Sequence, residues 1–232
     1  MKNNILKYVK YAFPLTIPIL LGFLFLGMSY GVLMVTHDYP WYYPTMTSIV
    51  IFGGSLEFLC VNLLQAAFNP LQAFAIAFLV NARHLFYGLA LLKRYRNLGF
   101  KKLYMMYALT DESFSVIYNT KKPDDLDDGW FMFTISLLNQ IYWVTGVTLG
   151  AILGQVLPIP TRGLEFVMTS MFVVILYEQI QATKNYYSAA VGVVVTLVCL
   201  IVFGKNIFLL PSMALIILFL YIYTIYEKRH TP

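Results

Sequence analysis

Apolar runs about twenty residues long follow one another along almost the whole chain. A bilayer core takes about 20 apolar residues per helix. That length marks segments at 12–35, 44–68, 71–92, 104–119, 130–157, 164–181, 186–203 and 207–226. Within 232 residues these segments leave only short connections. No separate soluble domain fits, so residues 1–232 are expected to form a single transmembrane domain. The composition agrees, with 59% hydrophobic and 12% charged residues, where soluble domains carry about 25% charged. Soluble enzymes, nucleic-acid binders and disordered chains are disfavoured. The expected fold class is an all-α integral membrane protein, a polytopic helical bundle of six to eight segments.

The formal charge of +5 then has a use other than nucleic-acid binding. Lys and Arg gather on the cytoplasmic side of membrane proteins and fix their orientation. The N-terminal stretch carries Lys2, Lys7 and Lys10, and the connection near residue 100 carries Lys93, Arg94, Arg96, Lys101 and Lys102. Its apolar run is too long for a signal peptide and lacks a small-residue cleavage site, so it is expected to be the first membrane helix. Three full crossings would put the two basic stretches on opposite faces. One of the first three segments is therefore expected to return to its starting face. Segment 44–68 is the best candidate, because Gly53–Gly54 sits at its middle and a glycine pair weakens a helix. Segment 104–119 is short and is expected to turn back too, which gives six crossings, two broken or re-entrant segments and cytoplasmic termini. The cysteines, Cys60 and Cys199, are expected to be packed free thiols.

The middles of those two segments resemble each other in kind. One reads Phe52-Gly53-Gly54-Ser55-Leu56-Glu57-Phe58 and the other Leu109-Thr110-Asp111-Glu112-Ser113-Phe114-Ser115. Interrupted helices that meet at mid-membrane are a feature of transporters with inverted repeats, and such a repeat is one reading here.

Ionisable groups in a membrane segment cost about 2.5–3.5 kcal/mol each on insertion scales. Glu57, Arg83, His84, Asp111 and Glu112 all fall near segment centres. Arg83 stays protonated and needs a carboxylate, carbonyls or water. A structural ion pair with Glu57, Asp111 or Glu112 is one reading. A site for a charged or zwitterionic solute is the other, and the two are compatible. Gly53, Gly54 and Ser55 at the first break, Asn81 and Arg83, Thr110 and Asp111, and Gln140 with Trp143 one turn away are the candidate substrate-binding residues. Glu57, His84, Asp111 and Glu112 are the candidate proton-coupling groups. A lone His is as readily a hydrogen-bonded packing residue, and the Asp111–Glu112 pair is as readily a helix cap.

Other features have plain readings. Gly22, Gly27 and Gly31 are expected to let the first helix pack closely. Trp41, Tyr42 and Tyr43 are expected to form an interfacial aromatic belt. Asp124, Asp125, Asp127 and Asp128 are expected to form a solvated turn, since the spaced ligands and glycine of a calcium loop are missing. No metal or cofactor is expected, and no phosphate-binding Gly-x-x-x-x-Gly-Lys-Ser/Thr loop is present. A serine-type intramembrane enzyme built on Ser55 and His84 is one rival to a transporter, and a small-solute channel is another.

Taken in order, these stretches resemble the AzlC family, the large subunits of bacterial branched-chain amino acid exporters. Pro18-x-x-x-Gly22 with Gly27 and Gly31 is similar to the family's first helix. Phe52–Phe58 resembles its Gly/Ala-Gly-Ser-x-Gln-Phe signature, Asn81-Ala82-Arg83-His84 its Asn-x-Arg-His motif, and Thr110–Phe114 its Thr-Asp-Glu-x-Phe motif. Gln140, Trp143, Gly146 and Gly150, then Gly163-Leu164-x-Phe166, follow in the family's order. Glu57 departs from it, since glutamine is usual there. The resemblance implies a multi-pass protein of the bacterial inner membrane that exports valine, leucine and isoleucine by proton-driven secondary transport. It also implies a partner, a small hydrophobic subunit of the AzlD type.

Overall fold

The computed structural model describes residues 5–65, 69–96, 98–120, 122–123, 125–157, 186–204 and 208–230, with scattered residues between 166 and 181. Among the described residues the secondary structure is helical. The helices are α1 (Ile5–Thr36), α2 (Tyr42–Val50), α3 (Ser55–Gln65), α4 (Pro70–Leu91), α5 (Phe100–Tyr107), α6 (Asp111–Asn119), α7 (Asp128–Val156), α8 (Tyr186–Phe203) and α9 (Leu209–His230). By length and composition α1, α7 and α8 are apolar enough to cross a membrane. At 22 residues, α4 reaches about 33 Å, also enough to span a bilayer core. The expected segment 164–181 lies mainly outside the described residues.

The chain divides into two compact units, residues 1–168 and 169–232. In the second unit α8 packs on α9, where the Tyr187 and Tyr223 rings stack at 4.2 Å. The first unit is built around α1 and α7, which run parallel. Tyr8 faces Asp127 at one end, Thr16 Oγ1 lies 3.0 Å from the Tyr142 hydroxyl, and Val32 meets Gly154 further along. The approach is close because glycines face each other. A Cβ on Gly31 would lie 2.2 Å from the Val147 carbonyl oxygen, and one on Gly150 would lie 2.2 Å from that of Met28. Gly27 and Gly146 are similarly placed against backbone. Gly22 corrects the sequence expectation, for nothing lies within 4 Å of where its Cβ would be. Successive helix residues advance by about 100°, so a step of five turns Gly22 some 140° away from the face that Gly27 and Gly31 share.

The acidic turn is exposed to solvent at Asp125 and Asp127, as expected, and it is also an ion-paired clamp. Asp125 pairs with Lys7, Asp127 with Lys101 at 3.4 Å, and Asp128 with Arg94. The Arg94 fork is bidentate, with Nε 2.9 Å from Oδ2 and Nη2 2.7 Å from Oδ1. Arg94 also donates to the carbonyls of Ile117 and Thr120 and so caps the end of α6. Asp127 is the N-cap of α7, accepting from the Trp130 amide at 2.9 Å. Asp124 lies outside the described residues. Among those described, no group of side chains has the makeup of a metal site. The clamp gathers the start of α1, the end of α4, the start of α5, the end of α6 and the start of α7 at one end of the first unit.

Both polar stretches fall at interruptions between two helices. Helix α2 starts beside the far half of α7, where Thr45 Oγ1 and Thr148 Oγ1 are 3.0 Å apart, and ends near its middle, where Gln140 reaches the Ile49 carbonyl. The backbone then turns through Phe52 (φ 43°) and Gly54 (φ 31°) into α3. A left-handed φ is disfavoured for phenylalanine and ordinary for glycine, so the Gly54 position suits the turn. Helix α5 starts at the clamp and climbs to the same level, where the Tyr107 hydroxyl donates to the Ile49 carbonyl. Residues 108–110 interrupt it, and α6 runs back to the clamp.

Candidate substrate site at two interrupted helices

The first turns of α3 and α6 meet at Arg83, midway along α4. Arg83 Nη1 lies 2.6 Å from Asp111 Oδ2, and Nη2 donates to Ser55 Oγ at 3.4 Å. Ser55 and Asp111 are each the first residue of their helix. One guanidinium therefore joins the N-terminal turns of two separate half-helices. A planar fork suits this task, since it presents donors in two directions at once.

The third residue of each half-helix is tied to α7. Glu57 is fully buried and accepts from the Gly53 amide at 3.0 Å and from Trp143 Nε1 at 3.1 Å through both carboxylate oxygens. Ser113 is equally buried and its hydroxyl accepts from Asn139 Nδ2 at 3.2 Å. Asn139 and Trp143 lie four residues apart, one turn, on the same face of α7. The N-cap of α6 is Thr110, whose hydroxyl accepts from the Ser113 amide at 3.2 Å.

Three buried polar atoms at this junction have no hydrogen-bond partner: Arg83 Nε, Asp111 Oδ1 and Asn139 Oδ1. The Arg83 and Asp111 side chains keep 26% and 19% of their surface exposed, so the pair is reachable. Half-helix N-termini each carry about +0.5 of a charge. Two of them with Arg83, set against Glu57, Asp111 and Glu112, make a junction with both a cationic and an anionic side. Such a junction can hold a carboxylate and an ammonium together.

The structure thus unites Ser55, Arg83 and Asp111, with Gly54 and Thr110 adjoining at the two helix starts. It does not bring every candidate to the guanidinium. Gln140 accepts from the Tyr104 hydroxyl at 2.6 Å and donates to Tyr107 and the Ile49 carbonyl, so it binds the arms α2 and α5 to α7. Trp143 is committed to Glu57 and packs between Phe23 and Tyr30, with ring centroids at 5.5 and 6.5 Å. Asn81 and His84 lie elsewhere on the circumference of α4. The His84 ring engages the Asn81 backbone and meets Tyr87 edge-on at 5.6 Å. The Ser55 hydroxyl is thus held by Arg83 rather than by His84. Glu112 is the second residue of α6 and sits in the field of Asp111 and Arg83. Sequence reasoning passed over Asn139 and Ser113. The available signal was one buried amide in an apolar helix, a full turn before Trp143.

A helical first unit with interrupted segments, a charged junction at their meeting point and helices of membrane-spanning length define a polytopic integral membrane protein. The family model described as AzlC protein matches residues 18–157. The chain is 46% identical over 216 residues to a Bacillus subtilis protein named "Branched-chain amino acid transport protein AzlC", covering 93% of this chain and 85% of that one. Uncharacterized membrane proteins of Haemophilus influenzae and Helicobacter pylori strain 26695 are 40% and 37% identical, covering 91% and 95% of this chain and 87% and 97% of theirs. The chain belongs to the AzlC family. No solved structure matches it.

Proposed function

We propose that the chain is the large subunit of a secondary transporter that exports valine, leucine and isoleucine across the bacterial inner membrane. The substrate class rests on the name of the Bacillus subtilis relative. The observation that carries the reading is the Arg83–Asp111 pair, set between two half-helix N-termini with a donor and an acceptor left over. An amino-acid carboxylate takes Arg83 and the amides at the start of α3. Its ammonium takes Asp111. The internal pair is then a stand-in for the zwitterion and opens as substrate arrives. Asp111, Glu112, Glu57 and His84 are the groups from which proton coupling is drawn.

The same proposal sets the topology. The clamp of Lys7, Arg94 and Lys101 faces the cytoplasm, in keeping with the preference of cations for that side. Helices α1 and α4 cross. The α2–α3 hairpin dips in from the outer face and α5–α6 from the inner one. Crossing helix plus hairpin then occurs twice, in opposite orientations. Equivalent helix ends support this, for Thr36 and Leu91, Val50 and Tyr107, Ser55 and Asp111, and Gln65 and Asn119 are 55, 57, 56 and 54 positions apart. The basic Lys228–Arg229 tail is placed in the cytoplasm as well. A small AzlD-like subunit completes the transporter.

Efflux from cells preloaded with labelled valine, leucine or isoleucine tests the reading. Expression with the small subunit is expected to accelerate efflux several-fold, and dissipating the proton gradient to abolish the gain. Unchanged efflux of all three amino acids with both subunits in the membrane overturns it.

A further inference from the structure

Tyr87 takes no part in the bridge at Arg83, yet it stands beside it. It follows Arg83 by four residues, one turn, on the same face of α4. Its hydroxyl faces the Asp111 carboxylate. Of that carboxylate, Oδ2 is held by Arg83 and Oδ1 has no partner. Glu112 also lies in the field of the hydroxyl but engages Thr110. The ring that carries the hydroxyl is fixed to α6. It stacks on Phe114 with centroids at 4.3 Å and planes 13° apart, and Phe114 stacks in turn on Tyr118 at 5.3 Å. Phe114 is three residues after Asp111, so one side of α6 offers Tyr87 both the carboxylate and the stacking ring. His84 meets the same Tyr87 ring edge-on at 5.6 Å. Packing explains the ring, since a phenylalanine would stack as well. It does not explain a hydroxyl directed at a carboxylate.

The exporter reading gives that hydroxyl a task. The substrate's carboxylate takes Arg83, and Asp111 loses the cation that held it. A carboxylate without a partner away from water is costly, and only an ionised one attracts the ammonium. A donor already in place offsets that loss, and a bond to a charged acceptor is among the stronger ones. We propose that Tyr87 is a positioning residue whose hydroxyl closes on Asp111 as Arg83 turns to the substrate, and so keeps the carboxylate aimed at the substrate's ammonium. This rests on the exporter reading above and adds to the site a group that acts through Asp111. The Phe114 stack fixes the ring, so the carboxylate is held in one place rather than set free to turn.

Tyr87→Phe keeps the ring and its stack and removes the hydroxyl alone. Two measurements on the purified complex in nanodiscs test the role. The first is melting without substrate. Arg83→Ala frees Asp111 permanently, as substrate does in passing. Tyr87→Phe is therefore expected to leave the melting temperature of the otherwise wild-type complex unchanged. In the Arg83→Ala background it is expected to lower it by about 3 °C or more. A ring that only packs costs the same in both backgrounds. The second measurement is calorimetric binding of L-leucine. It is expected to weaken about tenfold or more in Tyr87→Phe, the loss of one bond to a charged group. This measurement decides the matter if Arg83→Ala does not assemble. An equal melting cost in both backgrounds, or unchanged leucine affinity in Tyr87→Phe, overturns the role of Tyr87 and leaves the exporter reading standing. A wild type that binds neither leucine, valine nor isoleucine removes the exporter reading itself.

Discussion

Ser55 and Asp111 stand 56 positions apart in the chain, open two different helices, and are bonded to the same guanidinium of Arg83. That bridge makes one junction out of two chain interruptions, and it is the feature most open to a direct mutational test.

Arg83→Lys is expected to impair efflux strongly and Arg83→Ala to abolish it, since an ammonium cannot reach Ser55 and Asp111 together. Breaking the partly exposed pair costs about 1–3 kcal/mol of stability, below the range for fully buried pairs. The double variant Arg83→Ala/Asp111→Ala removes both charges and is expected to regain part of the melting temperature without regaining transport. Wild-type efflux from an assembled Arg83→Ala variant removes Arg83 from the site.

The interruptions are legible in the sequence from the Gly53–Gly54 pair and the shortness of segment 104–119, and the site from charged residues, which are conspicuous in apolar runs. Glu57, Arg83 and Asp111 stood out for that reason. Asn139 did not, being a single uncharged amide next to Gln140, which drew attention because Trp143 follows it. The clamp was illegible for another reason. Lys7 and Asp125 are separated by 118 positions, and no local pattern announces such a pairing. The acidic turn is solvent-exposed, as its composition implies, but nothing local tells that its cations come from α1, α5 and the end of α4. Spacing likewise gave three glycines on α1 without telling which face meets α7.

The glycine seam gives a graded stability series. Gly31→Ala and Gly150→Ala each place a Cβ 2.2 Å from a backbone carbonyl oxygen, so α1 and α7 must separate. Overpacking of this kind costs about 1–3 kcal/mol. Gly22→Ala meets nothing within 4 Å and is expected to leave the melting temperature unchanged or slightly raised. Fluorescence-detected melting of the three variants in one detergent checks the order. Equal melting of Gly22→Ala and Gly150→Ala contradicts it.

Glu57 and Trp143 form a buried pair that a conservative exchange separates. Trp143→Phe leaves the carboxylate with the Gly53 amide alone and is expected to cost about 1–3 kcal/mol. Glu57→Gln restores the residue usual in the family and is expected to keep transport. A shifted pH profile of efflux in Glu57→Gln marks Glu57 as a coupling group, and an unshifted one removes it from the coupling candidates.

Asp127 makes a pH-dependent contribution at the clamp. The Trp130 amide, and after it Lys101, holds the Asp127 carboxyl below the usual carboxylate range. Its folded value lies under the unfolded one of about 3.9, so the stabilisation is complete above that pH and is lost as pH falls through the folded value. Asp127→Ala is expected to cost about 1 kcal/mol as a lost N-cap. The gap in melting temperature between wild type and variant is expected to hold from pH 5 to 8 and to close below about pH 4. A gap that persists at low pH assigns the loss to packing instead.

The two hairpins make opposite predictions about access. Residues 37–41 and 69 lie at the ends of α1–α4 away from the clamp, the ends proposed to face outward, while Arg96 and Lys122 belong to the clamp end. In a background with Cys60 and Cys199 replaced by serine, Trp41→Cys and Asn69→Cys are expected to react with a membrane-impermeant maleimide added outside intact spheroplasts. Arg96→Cys and Lys122→Cys are expected to react only after the membrane is opened. The reason is mechanical: Arg94 holds Asp128 and the Thr120 carbonyl at once, so the end of α4, the end of α6 and the start of α7 cannot lie on different faces. On the proposed topology, in which α1 and α4 both cross, α2–α3 returns to the face it came from. Labelling of Asn69→Cys from the side opposite Trp41→Cys would make α2–α3 a crossing, and the inverted pair of hairpins would then be wrong.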